Sequence, residues 1–492
     1  MCRRSAWQPS TLPSTSMSVR QPVPVGLRLV ADPSLVRRDS GRVLVGGSPF
    51  RMMRLSEAGA RAVDRWIDGA PVRAGVEAAL ARRLLDAGSM HPLVAPATDR
   101  DVTVVTPVRD EPSLTTLPTG DRPTIVVDDG SSPPIGPIGS ARVIRRDVSG
   151  GPGAARADGL ALARSEGAEF VAFVDADVTV DPEVDPSGSD WIDRLLGHFD
   201  DPAVAAVAPR VVSAPGDTTL AAYEEAFSPL DLGGSPSLVA PGRRVSYVPT
   251  AALIVRVAAV DAVGGFDPAL RYGEDVDLIW RLASAGHTVR YDPSVVVQHR
   301  PRSSWGAWFR QRMSYGLAAA PLASRHGDAI APSRAPAELY GTIAAAVVAP
   351  RALVAGAAAA TVTAAQIRVR RALGEHHQPA AVNGAMAQAF GSTVAAIPRA
   401  WAPLALVAAA AGRRPRRRLA AMVMTAAAVE VLQRRPAVDP FRATTARLVD
   451  HLAYGVGVWQ GIVHERSLTA VRPARSENGV RSTDASASTV TP

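Results

Sequence analysis

The chain has 492 residues, enough for two or three domains, and a globular composition that is 47% hydrophobic. Its single cysteine, Cys2, excludes an internal disulfide framework and a cysteine-ligated zinc site, and fits a reducing compartment. The formal charge is +8, but all 54 basic residues are arginine, the mark of a GC-rich coding bias; aromatics are few and no helix-turn-helix, cold-shock or RNA-stacking pattern appears, so nucleic acid is not an expected partner.

Residues 1–22 are rich in Ser, Pro and Arg, lack the apolar core of a signal peptide, and read as disordered, with Met17 a candidate start. Residues 23–95 follow as a small unit. Within it "GLRLVADPSLVRRDSGRVLVGG" alternates like a β-hairpin, and "LSEAGARAVDRWIDGAPV" and "VEAALARRLLDAG" then become helical. From 100 to 325 short apolar runs alternate with helical stretches, which predicts an α/β fold: a sheet of parallel strands flanked by helices. The candidate strands are "DVTVVTPV", "PTIVVDD", "ARVIRRD", "EFVAFVDAD" and "AVAAVAPRVV".

Four strand ends carry polar groups. "VTVVTPVRD" breaks at Pro107 and exposes Arg109 and Asp110. "TIVVDDGSS" ends in Asp128 and Asp129 before a glycine turn. "DVSGGPGAARADG" is a glycine-rich loop opening a helix near Gly153. It is not a dinucleotide fingerprint, because Arg156 stands where the third glycine belongs and the loop follows the third strand. A helix start still favours phosphate there, and Arg156 adds a fixed positive charge. The fourth end, "VAFVDADVTV", sets Asp175 and Asp177 two apart, on one face of an extended strand. Two such carboxylates call for a cation or a shared proton between them, although a simple turn uses the same residues. Ligands bind beyond the carboxyl ends of strands in open α/β sheets, so the four ends describe one crevice.

Downstream, "GGFDP" is a turn and "GEDVDLIWRLASAG" an amphipathic helix with Glu274, Asp275 and Asp277 in its first turn. Acids there can simply complement the helix dipole. "SVVVQH" is a later strand ending at His299, and Trp305 and Trp308 follow, suited to sugar stacking or to core packing.

Residues 335–470 are rich in Ala and Arg and helical. "GTIAAAVVAPRALVAGAAAATVTAA" is long enough to cross a bilayer but is interrupted by Pro350 and Arg351. "WAPLALVAAAAG" and "LAAMVMTAAAVEVL" fall short of the roughly 20 residues a span needs. The run "RRPRRR" (413–418) between them suits an anionic, cytoplasmic membrane surface. Membrane contact through 335–435 is the favoured reading; a soluble Ala-rich bundle with a solvated Arg loop is the other. Residues 471–492 are polar, low in complexity, and expected to be disordered.

The order "VVDDGS", "GGPGAAR", "DAD", "GGFD", "GEDVDLIWR", "QHR" over residues 100–325 resembles family 2 glycosyltransferases of the GT-A fold. The "ED" helix, "QHR" and "RQRMSYG" are similar to the mycofactocin-system members of that family, and the N-terminal pattern with "WIDGAPV" resembles small PqqD-like peptide-recognition domains. The resemblance implies an inverting, metal-dependent hexosyltransferase using UDP-glucose and building β-1,4-linked glucose on a peptide-derived redox cofactor precursor; the arginine run places it at the cytoplasmic side of the cell membrane, with a soluble cytoplasmic protein as the alternative. By the same resemblance, Asp129 bonds the uracil, the Pro107–Asp110 loop walls the base, and Arg156 lies near the nucleotide. Asp175 faces the ribose, and Asp177 holds Mg²⁺ or Mn²⁺ with His299 as a further ligand. Asp275 is the general base, ahead of Glu274 and Asp277. Two alternatives stand beside this: a membrane glycosyltransferase of envelope polysaccharide or glycolipid, and a non-catalytic peptide-binding scaffold.

Overall fold

The structure is a computed structural model and describes residues 21–111, 117–181 and 190–475, with the backbone of 482–484. The expected disorder of residues 1–20 and of most of the tail lies outside the described residues.

The N-terminal elements are β1 (Arg28–Ala31), β2 (Val36–Arg38), β3 (Val43–Gly46), β4 (Arg51–Arg54), α1 (Glu57–Ile67), α2 (Val76–Asp86) and β5 (Met90–Leu93). The hairpin read from the sequence is narrower than expected. β2, β3 and β4 form an antiparallel sheet, whereas β1 turns away at Asp32 and pairs with β5. Ser56 caps α1 by accepting from the Gly59 amide, and the apolar faces of both helices bury Trp66, Leu84 and Leu85 against Leu44 and Met53. This unit is tied to the rest of the chain by buried charge. Arg82 donates to both oxygens of Asp201, at 2.7 and 2.8 Å, and Arg244 grips Asp32, which also bonds His91 at 2.8 Å.

The five apolar runs expected between 100 and 215 all form strands: β6 (Val102–Val108), β7 (Thr124–Asp128), β8 (Arg142–Arg145), β9 (Phe170–Val174) and, after β10 (Val178–Thr179) and helix α4 (Trp191–Leu196), β11 (Val204–Ser213). Helix α3 (Pro152–Ser165) joins β8 to β9; α5 (Thr219–Phe227) and β12 (Ser237–Leu238) precede β13 (Ala252–Arg256). Then come α6 (Val257–Ala262), α7 (Glu274–Ser284) and β14 (Thr288–His299). The nine-stranded sheet runs β10-β14-β11-β13-β9-β6-β7-β8, with β12 on β14. It is mixed rather than parallel throughout. β6 to β9 are mutually parallel, but β13 runs antiparallel to both β9 and β11. The near-continuous apolar runs arise because both faces are covered. Val105, Val127, Val171 and Phe173 face α3 and α7, while their neighbours Val104, Ala172 and Val174 face α4. Helix α3 approaches closely because Gly159 has no side chain; a Cβ there would stand 2.3 Å from Val105 Cγ1.

The remaining elements are α8 (Trp305–Leu317), α9 (Ala319–His326), β15 (Arg334–Ala335), α10 (Ala337–Val348), α11 (Arg351–Leu373), α12 (Pro379–Arg399), α13 (Ala402–Ala410), α14 (Arg413–Arg434), α15 (Pro440–Glu465), β16 (Ala474–Arg475) and β17 (Ser482–Asp484). Pro350 separates α10 from α11, as its lack of an N–H demands. The arginine run is not a loop. It opens α14, where Pro415 is tolerated because the first turn has no intrahelical use for its amide. Helix α15 lies against α8 at backbone contact; a Cβ on Gly457 would sit 1.9 Å from Met313 O. Parts of the tail are ordered by pairing: β16 adds to β15 and β17 to β4, both in parallel. Among the described residues, Arg351–His376 is long and apolar enough to cross a membrane, and the α12–α13 pair passes only if its 85° bend is part of one span.

Candidate active site

The carboxyl ends of β6, β7 and β9 open on one edge of the sheet, and α3, α7, β14 and α8 close a cavity of about 850 Å³ over it. Pro107, Arg109, Asp129, Arg156, Asp175, Asp177, Asp275 and His299 all line that cavity. Asp110 and Gly153 do not border it. Asp110 has φ +53, and its carboxylate accepts from the Ser132 amide at 3.0 Å while its own amide donates to Ser131 Oγ. Gly153 packs on Glu274, whose Cβ would be 3.0 Å from any Cβ placed there.

The two acids of the DAD triplet part company because the strand ends before them. β9 stops at Val174, the Asp175 amide donates to Ala251 O, and a turn closes with Val178 N on Asp175 O. Asp175 then accepts from Arg156 Nη2 at 2.6 Å. Asp177 is turned toward β14, where Val178 sits opposite His299 in antiparallel register. Asp177 Oδ1 is 3.1 Å from His299 Nε2, and Arg302 Nη1 is 3.6 Å from its other oxygen. Burial works to raise the Asp177 carboxyl, but the bond and charge of His299 outweigh it and hold the group below the usual range. Burial likewise depresses His299, and Asp177 more than offsets it, so the imidazole is raised. Each acid therefore has its own cationic neighbour.

Asp129 is spent on the glycine loop. Its oxygens accept from Ser149 Oγ at 2.6 Å, from the Gly150 amide at 2.9 Å and from the Gly151 amide at 2.8 Å, with Arg146 alongside. That loop leads into α3, whose second turn buries Arg156. The guanidinium also reaches Glu274 Oε1 at 2.8 Å, joining β9 to α7.

The three acids of α7 have different fates. Glu274 is buried and bound by Arg156; burial raises its carboxyl despite that charge. Asp277 points away from the cavity, bonded to Arg281 and to His326 Nε2 at 2.8 and 2.9 Å. Asp275 has no cationic partner among the described residues, only the Val276 amide at 2.8 Å. Protein crowds it on all sides while the cavity still admits solvent to it, and burial, then the neighbouring Glu274 charge, push its carboxyl up to about 7. It is half-ionised near neutrality, as a general base should be.

Neither tryptophan faces the cavity. Trp308 is buried, packs edge-on against Tyr223 and donates to Glu224, and Trp305 stands at the surface beside it. The rings that line the cavity are Phe227, Tyr247, Tyr272, Tyr315 and Tyr454, with Tyr247 and Tyr315 close to Asp275, and Arg302, Arg399 and Arg447 supply further positive charge. These residues went unread because they come from loops and from helices far along the chain; only Tyr315, inside "RQRMSYG", lay in a motif.

Comparison with known proteins identifies the family. A profile described as glycosyl transferase family group 2 matches residues 170–410. The pre-mycofactocin glycosyltransferases of two Mycobacterium tuberculosis strains, CDC 1551 / Oshkosh and H37Rv, are each 39% identical over 476 residues, covering 92% of this chain and 98% of theirs. Likeness to solved structures is looser. The Pyrobaculum calidifontis mannosyltransferase PcManGT, in complex with GDP-Man and Mn²⁺, aligns over 74% of this chain and 89% of its own, at 19% identity and a TM-score of 0.39. With a mixed GT-A-like sheet flanked by helices and near-full-length similarity to those curated enzymes, the chain belongs to the family 2 glycosyltransferases, in the pre-mycofactocin glycosyltransferase group.

Proposed function

We propose that the enzyme transfers glucose from UDP-glucose to a hydroxyl of pre-mycofactocin, a peptide-derived redox cofactor precursor, and extends the product as a β-1,4-glucan with inversion at each anomeric carbon. The observation that carries this reading is the cavity itself: Asp175, Asp177 and His299 line it together with Asp275, the one α7 acid left without a cation. Asp275 takes the proton of the acceptor hydroxyl as that oxygen bonds to the anomeric carbon. The sugar–diphosphate bond breaks on the opposite side, and UDP departs.

The donor set fits a divalent cation. Asp177 and His299 offer one carboxylate oxygen and one imidazole nitrogen at contact distance, and Asp175 stands near but is bound by Arg156. Mg²⁺ or Mn²⁺ held by Asp177 and His299 would stabilise the charge that develops on the leaving diphosphate. Pro107 and Arg109 would wall the base and Asp175 would face the ribose. Asp129 would shape the nucleotide end through the loop that it pins, while Arg156 holds Asp175 in place. Asp110 and Gly153 would support that loop region from behind rather than touch the donor. The small N-terminal unit of residues 23–95 would recognise the peptide part of the acceptor or of its precursor. Residues 335–435 would bring the enzyme to the cytoplasmic face of the membrane. The exposed apolar helix Ala402–Ala410 also favours a second reading, a glycosyltransferase of envelope polysaccharide or glycolipid.

The test is incubation of the purified chain with UDP-glucose, Mn²⁺ and pre-mycofactocin, read by mass spectrometry. Stepwise hexose additions support the reading. Transfer only to a lipid or polysaccharide acceptor would favour the second one.

A further inference from the structure

Helix α13 has the sequence APLALVAAA, and none of its residues is buried. Leu404, Leu406 and Val407 are 69%, 71% and 71% exposed. Beside it, Leu406 shares an apolar groove of about 660 Å³ with Leu452, Val456 and Val463 of α15, all of them exposed as well. Directly after the helix, Arg413, Arg414, Arg416 and Arg417 stand exposed on the first turns of α14, with no carboxylate partner among the described residues. An apolar helix turned to solvent next to an unpaired cationic run is complementary to one kind of surface, in which apolar chains lie under a layer of anions.

We propose that α13 and its groove dock on an anionic phospholipid bilayer. The helix lies in the plane of the interface, its leucines among acyl chains and the four arginines on headgroup phosphates. This rests on the membrane contact of residues 335–435 and gives its mode, which is peripheral. Nine residues rise only about 14 Å, half of what a span requires. Helix α11 has the length to cross, but its last turns carry Arg368, paired with Glu338, and the exposed Arg370 and Arg371, ionised groups that hydrocarbon disfavours. The docking surface also adjoins the reaction: Pro398 borders the groove, and Arg399, the next residue, lines the catalytic cavity.

Flotation of the full chain with vesicles tests this. The protein should rise with vesicles of phosphatidylcholine and phosphatidylglycerol, not with phosphatidylcholine alone, and alkaline carbonate should release it. Leu404→Asp with Leu406→Asp, and separately Arg413, Arg414, Arg416 and Arg417→Gln, should each cut the bound fraction about tenfold or more. Transfer to soluble acceptor and the melting temperature should stay unchanged, which shows the variants are folded. Retention after carbonate would overturn the peripheral mode while leaving membrane contact intact. Equal binding to neutral vesicles, or binding undiminished in both variants, would overturn the proposal. Absence of flotation would remove it together with the membrane reading. Loss of a dimer in the leucine variant, without vesicles, would assign the groove to a second copy instead.

Discussion

Arg156 donates to Glu274 Oε1 at 2.8 Å, and that bond separates the two adjacent acids of α7 into a paired group and an unpaired one. Glu274 is locked to α3. Asp275, one residue on, faces the cavity with only a backbone amide to steady it. The division of labour at the start of α7 thus depends on a residue 118 positions earlier in the chain.

Removing Arg156 should be costly. Arg156→Ala strands the buried Glu274 carboxylate and frees Asp175, a loss of about 3–5 kcal/mol in denaturant unfolding. The pair variant Arg156→Leu with Glu274→Leu should recover much of that stability yet not the activity, since Asp175 loses its anchor.

Asp275 should be a stability liability that the reaction requires. Its folded carboxyl is pushed up to about 7, above its unfolded value, so its favourable contribution is complete below about pH 4 and is lost as pH rises through 7. Asp275→Asn should therefore gain on the parent protein as pH rises, its advantage at pH 8 exceeding that at pH 5 by on the order of 1–3 kcal/mol, nearer the lower figure because solvent reaches the group. Thermal melts at the two pH values check this.

The proposed base role ties the rate to the same ionisation. With Asp275 as the proton acceptor, kcat/KM for the acceptor should fall about tenfold per pH unit below 7 and level off above it. A flat profile from pH 5 to 8 would remove Asp275 as the base.

A donor set of one carboxylate and one imidazole suits Mn²⁺ better than Mg²⁺, which prefers oxygen. Chelation by EDTA should abolish transfer, Mn²⁺ should restore it at lower concentration than Mg²⁺, and His299→Ala should raise the Mn²⁺ requirement at least about tenfold. Activity against metal concentration gives the answer directly.

The parts of this site visible in the sequence are those written in consecutive residues. Apolar runs ending in "VVDDGSS" and "FVDAD" announce strands that empty onto one edge, and the spacing of "GEDVDLIWRLASAG" announces a helix with an apolar face. What could not be read is set by partners far apart. The antiparallel course of β13 depends on its place between β9 and β11, and nothing in "ALIVR" states a direction. Asp175 and Asp177, taken together for a pair on one face, diverge because Asp175 N pairs with Ala251 O and the strand stops one residue earlier. Asp129 looked free to meet a base, yet the loop amides of Gly150 and Gly151, 21 and 22 residues on, donate to its oxygens. Trp308 of α8 belongs to a core with Tyr223, completed only when α14 and α15 pack there, and Trp305 stands exposed at its rim.

The decisive measurement is the rate of hexose transfer from UDP-glucose to pre-mycofactocin by the Asp275→Asn protein under Mn²⁺, with folding verified on the same sample. A fall of about 10³-fold or more in a folded protein that still binds UDP is the outcome expected for loss of the proton acceptor. Transfer at the parental rate by that folded variant would contradict the assignment of this cavity's chemistry.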